Sequence, residues 1–132
     1  MTLWQLYKSS IFLSHQTLSM SINFAIISGQ NPAGHTENPL YNQLLDKKLQ
    51  ARLQQLGVPY RSVIGAAPDL SFQEKSWVVL CDKQQAITLA LEFTQNAIYW
   101  VEQGQLYLVP VLLHEQEECL GQFQQRLILL PA

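Results

Sequence analysis

Apolar positions change period several times along the chain, and each change marks an element. From Thr2 to about Leu13, Leu3, Leu6, Tyr7 and Ile11 recur at helical spacing beside Trp4, which predicts a short amphipathic helix. The run Ile22-Asn23-Phe24-Ala25-Ile26-Ile27-Ser28 is too apolar for a strand with one wet face; it predicts a central strand covered on both sides. Gly29 to Glu37 reads as a loop, marked by Asn31-Pro32 and Gly34. Asn38-Pro39 then opens a helix, because asparagine accepts from free amides at a cap and proline in the first turn gives up no bond. Leu40, Leu44, Leu45, Leu49, Leu53 and Leu56 follow with a period near 3.6 and predict one buried stripe, until Gly57 supplies a left-handed stop.

Beyond that helix the period falls towards two. Val58 to Ile64 predicts a strand ended by Gly65-Ala66-Ala67-Pro68-Asp69, and Lys75 to Cys81 predicts another. Asp82 and Gln85 resemble a capping box for a helix whose Ala86, Ile87, Ala90, Leu91 and Phe93 turn inward, and Asn96 is placed to end it. Ala97 to Val101 and Leu106 to Val109 predict a hairpin about Glu102-Gln103-Gly104-Gln105, with Pro110 marking an edge or a bulge. Phe123 to Leu130 reads as one more strand. This order predicts a two-layer α+β chain, helices packed on one face of a mixed sheet. Its core would be a ferredoxin-like β-α-β-β-α-β unit, with an N-terminal helix before it and extra C-terminal strands after it.

Composition narrows the class. At 132 residues the chain fits one domain, residues 1–132, long enough to bury a core without staples. A hydrophobic fraction of 48% argues against disorder, and 14% charged residues is too sparse for a coiled coil. The net charge of -2 disfavours a broad basic face for nucleic acid. The longest apolar run, Leu106 to Leu113, is far short of a membrane helix, and Ile11-Phe12-Leu13 is too short for the core of a signal peptide. Cys81 and Cys119 form no metal or redox spacing. The expected setting is therefore cytoplasmic, with no membrane and no nucleic acid as partner.

Candidate chemistry is thin. Gly29-Gln30-Asn31-Pro32-Ala33-Gly34-His35-Thr36 follows a strand and precedes a helix, as a phosphate loop would. His35 stands where the phosphate-binding lysine belongs, however, and Pro32 removes one cradling amide. His15, His35 and His114 lie far apart, and His114-Glu115-Gln116-Glu117-Glu118 reads as a solvated run rather than a metal site. No metal and no cofactor is expected. What remains is a set of polar residues at element ends: Asn31, Asn38, Asn42, Glu74 and Gln95. Taken one by one, each has a local structural role as turn, cap or flank. Together they predict one polar cleft, with Glu74 the sole fair candidate for acid or base chemistry.

Several of these residues also sit in a recognisable succession. Asn31-Pro32, Glu37-Asn38 with Asn42, Gly65-Ala66-Ala67-Pro68-Asp69, Glu74-Lys75-Ser76-Trp77 and Phe93-Thr94-Gln95-Asn96-Ala97-Ile98 resemble domain-of-unknown-function family 3293, as does the opening Leu3-Trp4-Gln5-Leu6-Tyr7. The chain departs from that pattern at Ser28-Gly29-Gln30, before Asn-Pro, and at Thr94, where the family usually has glycine. The resemblance implies a small bacterial cytoplasmic protein and carries no activity with it. Three readings follow. The first is a binding module for a small polar ligand or peptide at a cleft of loop and helix ends. The second is a small enzyme with Glu74 as general base. The third is an interaction subunit that meets a protein partner through its sheet edge or N-terminal helix.

Overall fold

The computed structural model describes residues 1–131. Helix α1 spans Leu3–Lys8 and is opened by a capping box in which Thr2 accepts from the Gln5 amide and the Gln5 side chain answers. It is shorter than its periodicity predicts. The Ser9 hydroxyl turns back onto the Leu6 carbonyl at 2.9 Å, and the chain leaves the helix there. Ile11-Phe12-Leu13, expected as the last helical turn, instead forms strand β1, Ile11–Ser14. A β-branched residue and a phenylalanine suit a pleated surface, and Phe12 is fully buried there.

Strand β2, Phe24–Ile27, is buried at every position, as its composition predicts. Helix α2, Pro39–Leu56, begins and ends where its caps direct: Asn38 accepts from the Tyr41 amide, and Gly57 takes φ +68°. Its buried row is Leu45, Leu49 and Leu53. Leu40 and Leu44, expected on the same stripe, are exposed to 78% and 47%. At 3.6 residues per turn, Leu44 stands about 140° and Leu40 about 180° round the helix from Leu49, the centre of the buried row, so both face away from the sheet.

Strands β3, Tyr60–Ala66, and β4, Gln73–Val79, form a long antiparallel pair. Helix α3, Lys83–Glu92, is capped by Asp82 and buries Ala86, Leu89 and Ala90, with Leu91 turned to solvent rather than inward. It ends at Phe93, before Asn96, as Thr94 swings to φ +54°. Strands β5, Ala97–Glu102, and β6, Gln105–Pro110, meet through Gln103 and Gly104, both at positive φ, as a tight two-residue hairpin requires. Two further strands follow, β7, Glu118–Gln122, and β8, Leu127–Leu129, with the short 3-10 turn Phe123–Arg126 between them.

The eight strands form one mixed sheet in the order β7-β6-β5-β2-β4-β3-β1-β8, antiparallel throughout except for the β1–β8 pair. Pro110 therefore does not lie on an edge strand. Strand β7 pairs with β6 only as far as Leu108, so the missing amide falls beyond its reach, and the irregularity in that ladder sits at Leu106/Tyr107 instead. The sheet is curled into a half-barrel, and the connection between its edges explains why. Eight strands laid flat would span roughly 34 Å. Yet β7 and β8, at opposite edges, are joined by four residues that reach at most about 17 Å.

The curl gives the sheet two different faces. The convex face packs α2 and α3 over Ala25, Ile27, Trp77, Val79, Ile98 and Trp100. The concave face closes on itself around Phe12, Phe24 and Phe123, whose rings meet at centroid distances of 5.4 and 5.5 Å. Helix α1 does not join the other two. Its Tyr7 carbonyl accepts from the Tyr99 hydroxyl, a concave-side group, at 2.6 Å. Among the described residues no helix is long and apolar enough to cross a membrane.

Candidate functional site

Strand β2 ends at the pole of the sheet where β4 and β5 begin, and the chain there runs through Ser28, Gly29 and Gln30. The Ser28 hydroxyl donates to the Lys75 carbonyl at 3.0 Å, and the Lys75 amide donates to Gln30 Oε1 at 3.2 Å. Gly29 has to be small: a Cβ would lie 3.0 Å from the Leu45 carbonyl oxygen on α2. This close approach brings α2 onto the loop and fixes where Asn31 falls.

Asn31 is the hub. It takes φ +48°, a left-handed conformation that asparagine tolerates better than most residues. Its amide donates to Asn42 Oδ1 at 2.9 Å, and Asn42 Nδ2 returns a bond to Asn31 Oδ1 at 2.8 Å. The same Oδ1 accepts the Glu37 amide at 3.0 Å, while Asn31 Nδ2 donates to Glu74 Oε2 at 2.9 Å. Three of the five expected residues, Asn31, Asn42 and Glu74, are thus joined directly. Gln95 is one step removed: it is buried, and its amide donates to the Gln30 carbonyl at 3.1 Å. Asn38 stands apart, its side chain spent on capping α2 at 2.8 Å.

Glu74 is the electrostatic centre of this pole. Burial raises its pKa above the ordinary glutamate value, opposed by the Asn31 amide and the neighbouring Ser28 hydroxyl. Oε2 accepts from Asn31; the Ser28 hydroxyl stands near the carboxylate, but its proton goes to the Lys75 carbonyl, so Oε1 has no donor among the described residues, and unlike Asp46 Oδ1 it is not sealed from solvent. Tyr7 stands within its field. Burial raises the Tyr7 pKa, a hydrogen bond from Asn96 opposes this, and the Glu74 charge adds to the rise. The Tyr7 oxygen accepts Asn96 Nδ2 at 3.1 Å, so its own proton is free to be donated. Tyr99, deeper in the same group, is also pushed up, chiefly by burial. Gly34, at φ +78°, lets the loop press on these side chains, since a Cβ there would come within 2.9 Å of Asn96 Nδ2 and Leu3 Cδ1.

The pole therefore offers an acceptor, Glu74 Oε1, and a donor, the Tyr7 hydroxyl, close enough to feel its charge. Sequence reasoning missed Tyr7, Gln30 and Asn96. Tyr7 counted towards an apolar helical face, and only the contact between α1 and β5, far apart in the chain, reveals its polar end. It also missed the ion pair of Lys75 with Asp46 at 2.9 Å, in which the ammonium lies 3.6 Å over the Trp77 ring. The acidic run His114–Glu118 is not a free loop throughout, because Glu118 belongs to β7 and pairs with Lys8 at 3.0 Å, and Glu117 pairs with Lys83. Among the described residues no group of three or more His, Cys, Asp or Glu is arranged to hold a metal ion. A cleft of ≈ 440 Å³ between α2 and α3, bordered by Arg52, Leu56, Asp82 and Glu92, lies apart from the Asn31–Glu74 network.

Comparison with curated proteins and with solved structures gives no match. A family model does match, over residues 27–98, just over half of the chain. That span takes in Asn31, Asn38, Asn42, Glu74 and Gln95 and stops short of Tyr7 and Tyr99. The chain belongs to the family described as protein of unknown function (DUF3293).

Proposed function

We propose that this protein is a small binding module for a polar ligand that presents a hydrogen-bond donor, such as an amide, an amine or a hydroxyl. The observation that carries this reading is the Glu74 carboxylate, largely withdrawn from water and held by Asn31 through Oε2, while Oε1 is left without a hydrogen-bond donor among the described residues. A desolvated acceptor of that kind gains more from a ligand donor than a wet one does. Asn31, Asn42 and Gln95 hold the loop that positions it, Tyr7 adds a donor within its field, and Asn38 fixes the start of α2. The reading takes residues 1–132 as one domain acting in a bacterial cytoplasm. It also takes β5-β2-β4-β3, with α2 and α3, as a ferredoxin-like split unit; their antiparallel order supports this, and the outer strands add the curl.

A second reading is favoured by the raised pKa of Glu74. A carboxylate made more basic by burial is a better general base, with the Tyr7 hydroxyl within its field.

The test is a thermal-shift and saturation-transfer NMR screen of free amino acids, primary amides and nucleosides against wild type and Glu74→Gln. The expected result is at least one saturable ligand that wild type binds about tenfold more tightly than the variant. No saturable ligand, or equal binding to both proteins, would overturn the proposal. Chemical turnover of the bound ligand by wild type but not by Glu74→Gln would replace it with the enzymatic reading.

A further inference from the structure

The concave face of the sheet is open at the pole opposite Glu74. The connection between β1 and β2, including Thr17 to Ile22, lies there over the first residues of β2 and β3 and the end of β4. It encloses a groove of ≈ 350 Å³, within the usual size range of small-molecule sites. The groove wall is largely apolar, formed by Leu18, Ile22, Phe24, Val78 and Leu80. Ile22 remains 42% exposed above it, an apolar side chain with nothing to cover it.

One charge borders the groove. Arg61 pairs across β3 and β4 with Val78, a concave-core residue, so both side chains stand on the same face. Among the described residues no carboxylate lines the groove. Among the described residues Arg61 makes no salt bridge, whereas Arg52 holds Glu92 and Lys8, Lys75 and Lys83 each hold an acid. An unpaired guanidinium at the mouth of an apolar groove has the complement of an amphiphilic anion.

We propose that this groove binds a medium-chain carboxylate, its acyl chain against Leu18, Ile22, Phe24 and Leu80 and its carboxylate on Arg61. The planar guanidinium matches the two oxygens of a carboxylate. A single cation, with no second lysine or arginine among the described residues of the groove wall, neutralises a monoanion and leaves a phosphate dianion half paired. The chain supplies the hydrophobic gain and the head group sets the orientation. This site is separate from the Glu74 pole and does not depend on what that pole binds.

The test is an NMR titration of the full chain with octanoate, octanol, acetate and octyl phosphate. Octanoate is expected to saturate one site per chain and to move the resonances of Leu18, Ile22 and Leu80, while acetate moves none of them at the same concentration. Octanol and octyl phosphate should bind more weakly than octanoate. Arg61→Gln, a change at an exposed position that leaves the core intact, should weaken octanoate about tenfold and leave octanol unchanged. Ile22→Asp, also at an exposed position, should weaken both. The proposal is overturned if octanoate fails to saturate, if octanol matches it, if octyl phosphate binds more tightly, or if Arg61→Gln has no effect.

Discussion

The two poles of the curled sheet are built by different physics. At one, side chains from four separate parts of the chain tie a loop down: Asn31, Asn42, Glu74 and Gln95 exchange or relay hydrogen bonds across sequence separations of 11 to 65 residues. At the other, the β1–β2 connection is tied at its two ends, where His15 meets the Pro131 carbonyl at 3.0 Å and Asn23 accepts the Gln103 amide at 3.1 Å, but its middle, Thr17 to Ile22, is held by short-range bonds, such as Ser19 to Ser21 at 2.8 Å, and by apolar contact of Leu18 and Met20 with the concave core. Directional bonds specify one geometry and are felt when any partner is lost. Apolar contact tolerates rearrangement. The first pole is thus suited to orienting a polar group, and the second to admitting a chain of variable shape.

The largest effect should come from the core beneath the apolar pole. Phe123 is fully buried, touches both Phe12 and Phe24, and sits in the four residues that draw the two sheet edges together. Phe123→Ala should cost about 3–5 kcal/mol in urea denaturation. A loss below about 1 kcal/mol would mean that the curl is held elsewhere, and the account of the apolar pole would fail.

The polar pole should be next. Asn31→Ala removes partners from Asn42, Glu74 and the Glu37 amide at once and places alanine at φ +48°. It should cost about 2–4 kcal/mol. Ser19→Ala at the other pole, which loses only bonds within its own turn, should cost less than about 0.5 kcal/mol. Equal costs would erase the distinction between the poles.

Much of this was legible in the sequence wherever the signal is local. Helix α2 carries both of its boundaries in Asn38-Pro39 and Gly57, and β2 announces its burial on both faces by its lack of polar residues. Signals that depend on distant partners were not legible. Ile11-Phe12-Leu13 continues a helical period and becomes a strand only because β3 and β8 flank it. Strand β7 has no apolar run of its own; Glu118, Gly121 and Gln122 are strand residues because β6 pairs with them. The half-barrel follows from joining opposite edges through four residues, which no window of sequence reports. At the site, short polar residues at element ends pointed to Asn31, Asn42 and Glu74. Tyr7 was hidden because its ring obeys the apolar period while its hydroxyl does not.

The charge of Glu74 offers a finer probe. An unfolded chain releases this proton near the ordinary value of 4.5, whereas the native state holds it to a higher pH. Between those two values the native state binds more protons than the unfolded state, so stability falls as pH rises. The contribution is complete below the unfolded value and is lost as pH climbs through the raised native one. The stability of wild type relative to Glu74→Gln should therefore decline as pH increases from about 4 upwards. A difference that stays flat or rises would show that the carboxylate is not desolvated, and would remove the main support for a ligand at this pole.

The smallest expected effect separates Asn38 from the network. Asn38 and Asp82 cap the two long helices from opposite poles with the same bond, side-chain oxygen to the third helical amide, at 2.8 and 2.7 Å. A cap of this kind is worth about 1 kcal/mol, and replacement by alanine loses that bond and little else. If Asn38 acts only as a cap, Asn38→Ala and Asp82→Ala should destabilise by about the same amount, and neither should alter the pH dependence assigned to Glu74. Asn38 has one route into the polar group, because its carbonyl accepts the Asn42 amide at 3.0 Å and fraying of the first turn would move Asn42 away from Asn31. That route gives a distinct signature. Asn38→Ala would then cost more than Asp82→Ala by the weakened Asn31–Asn42 bonds, and the Glu74 titration would move with it. Measuring both variants by urea denaturation across the same pH series distinguishes a cap that happens to border the site from a residue that holds it in shape.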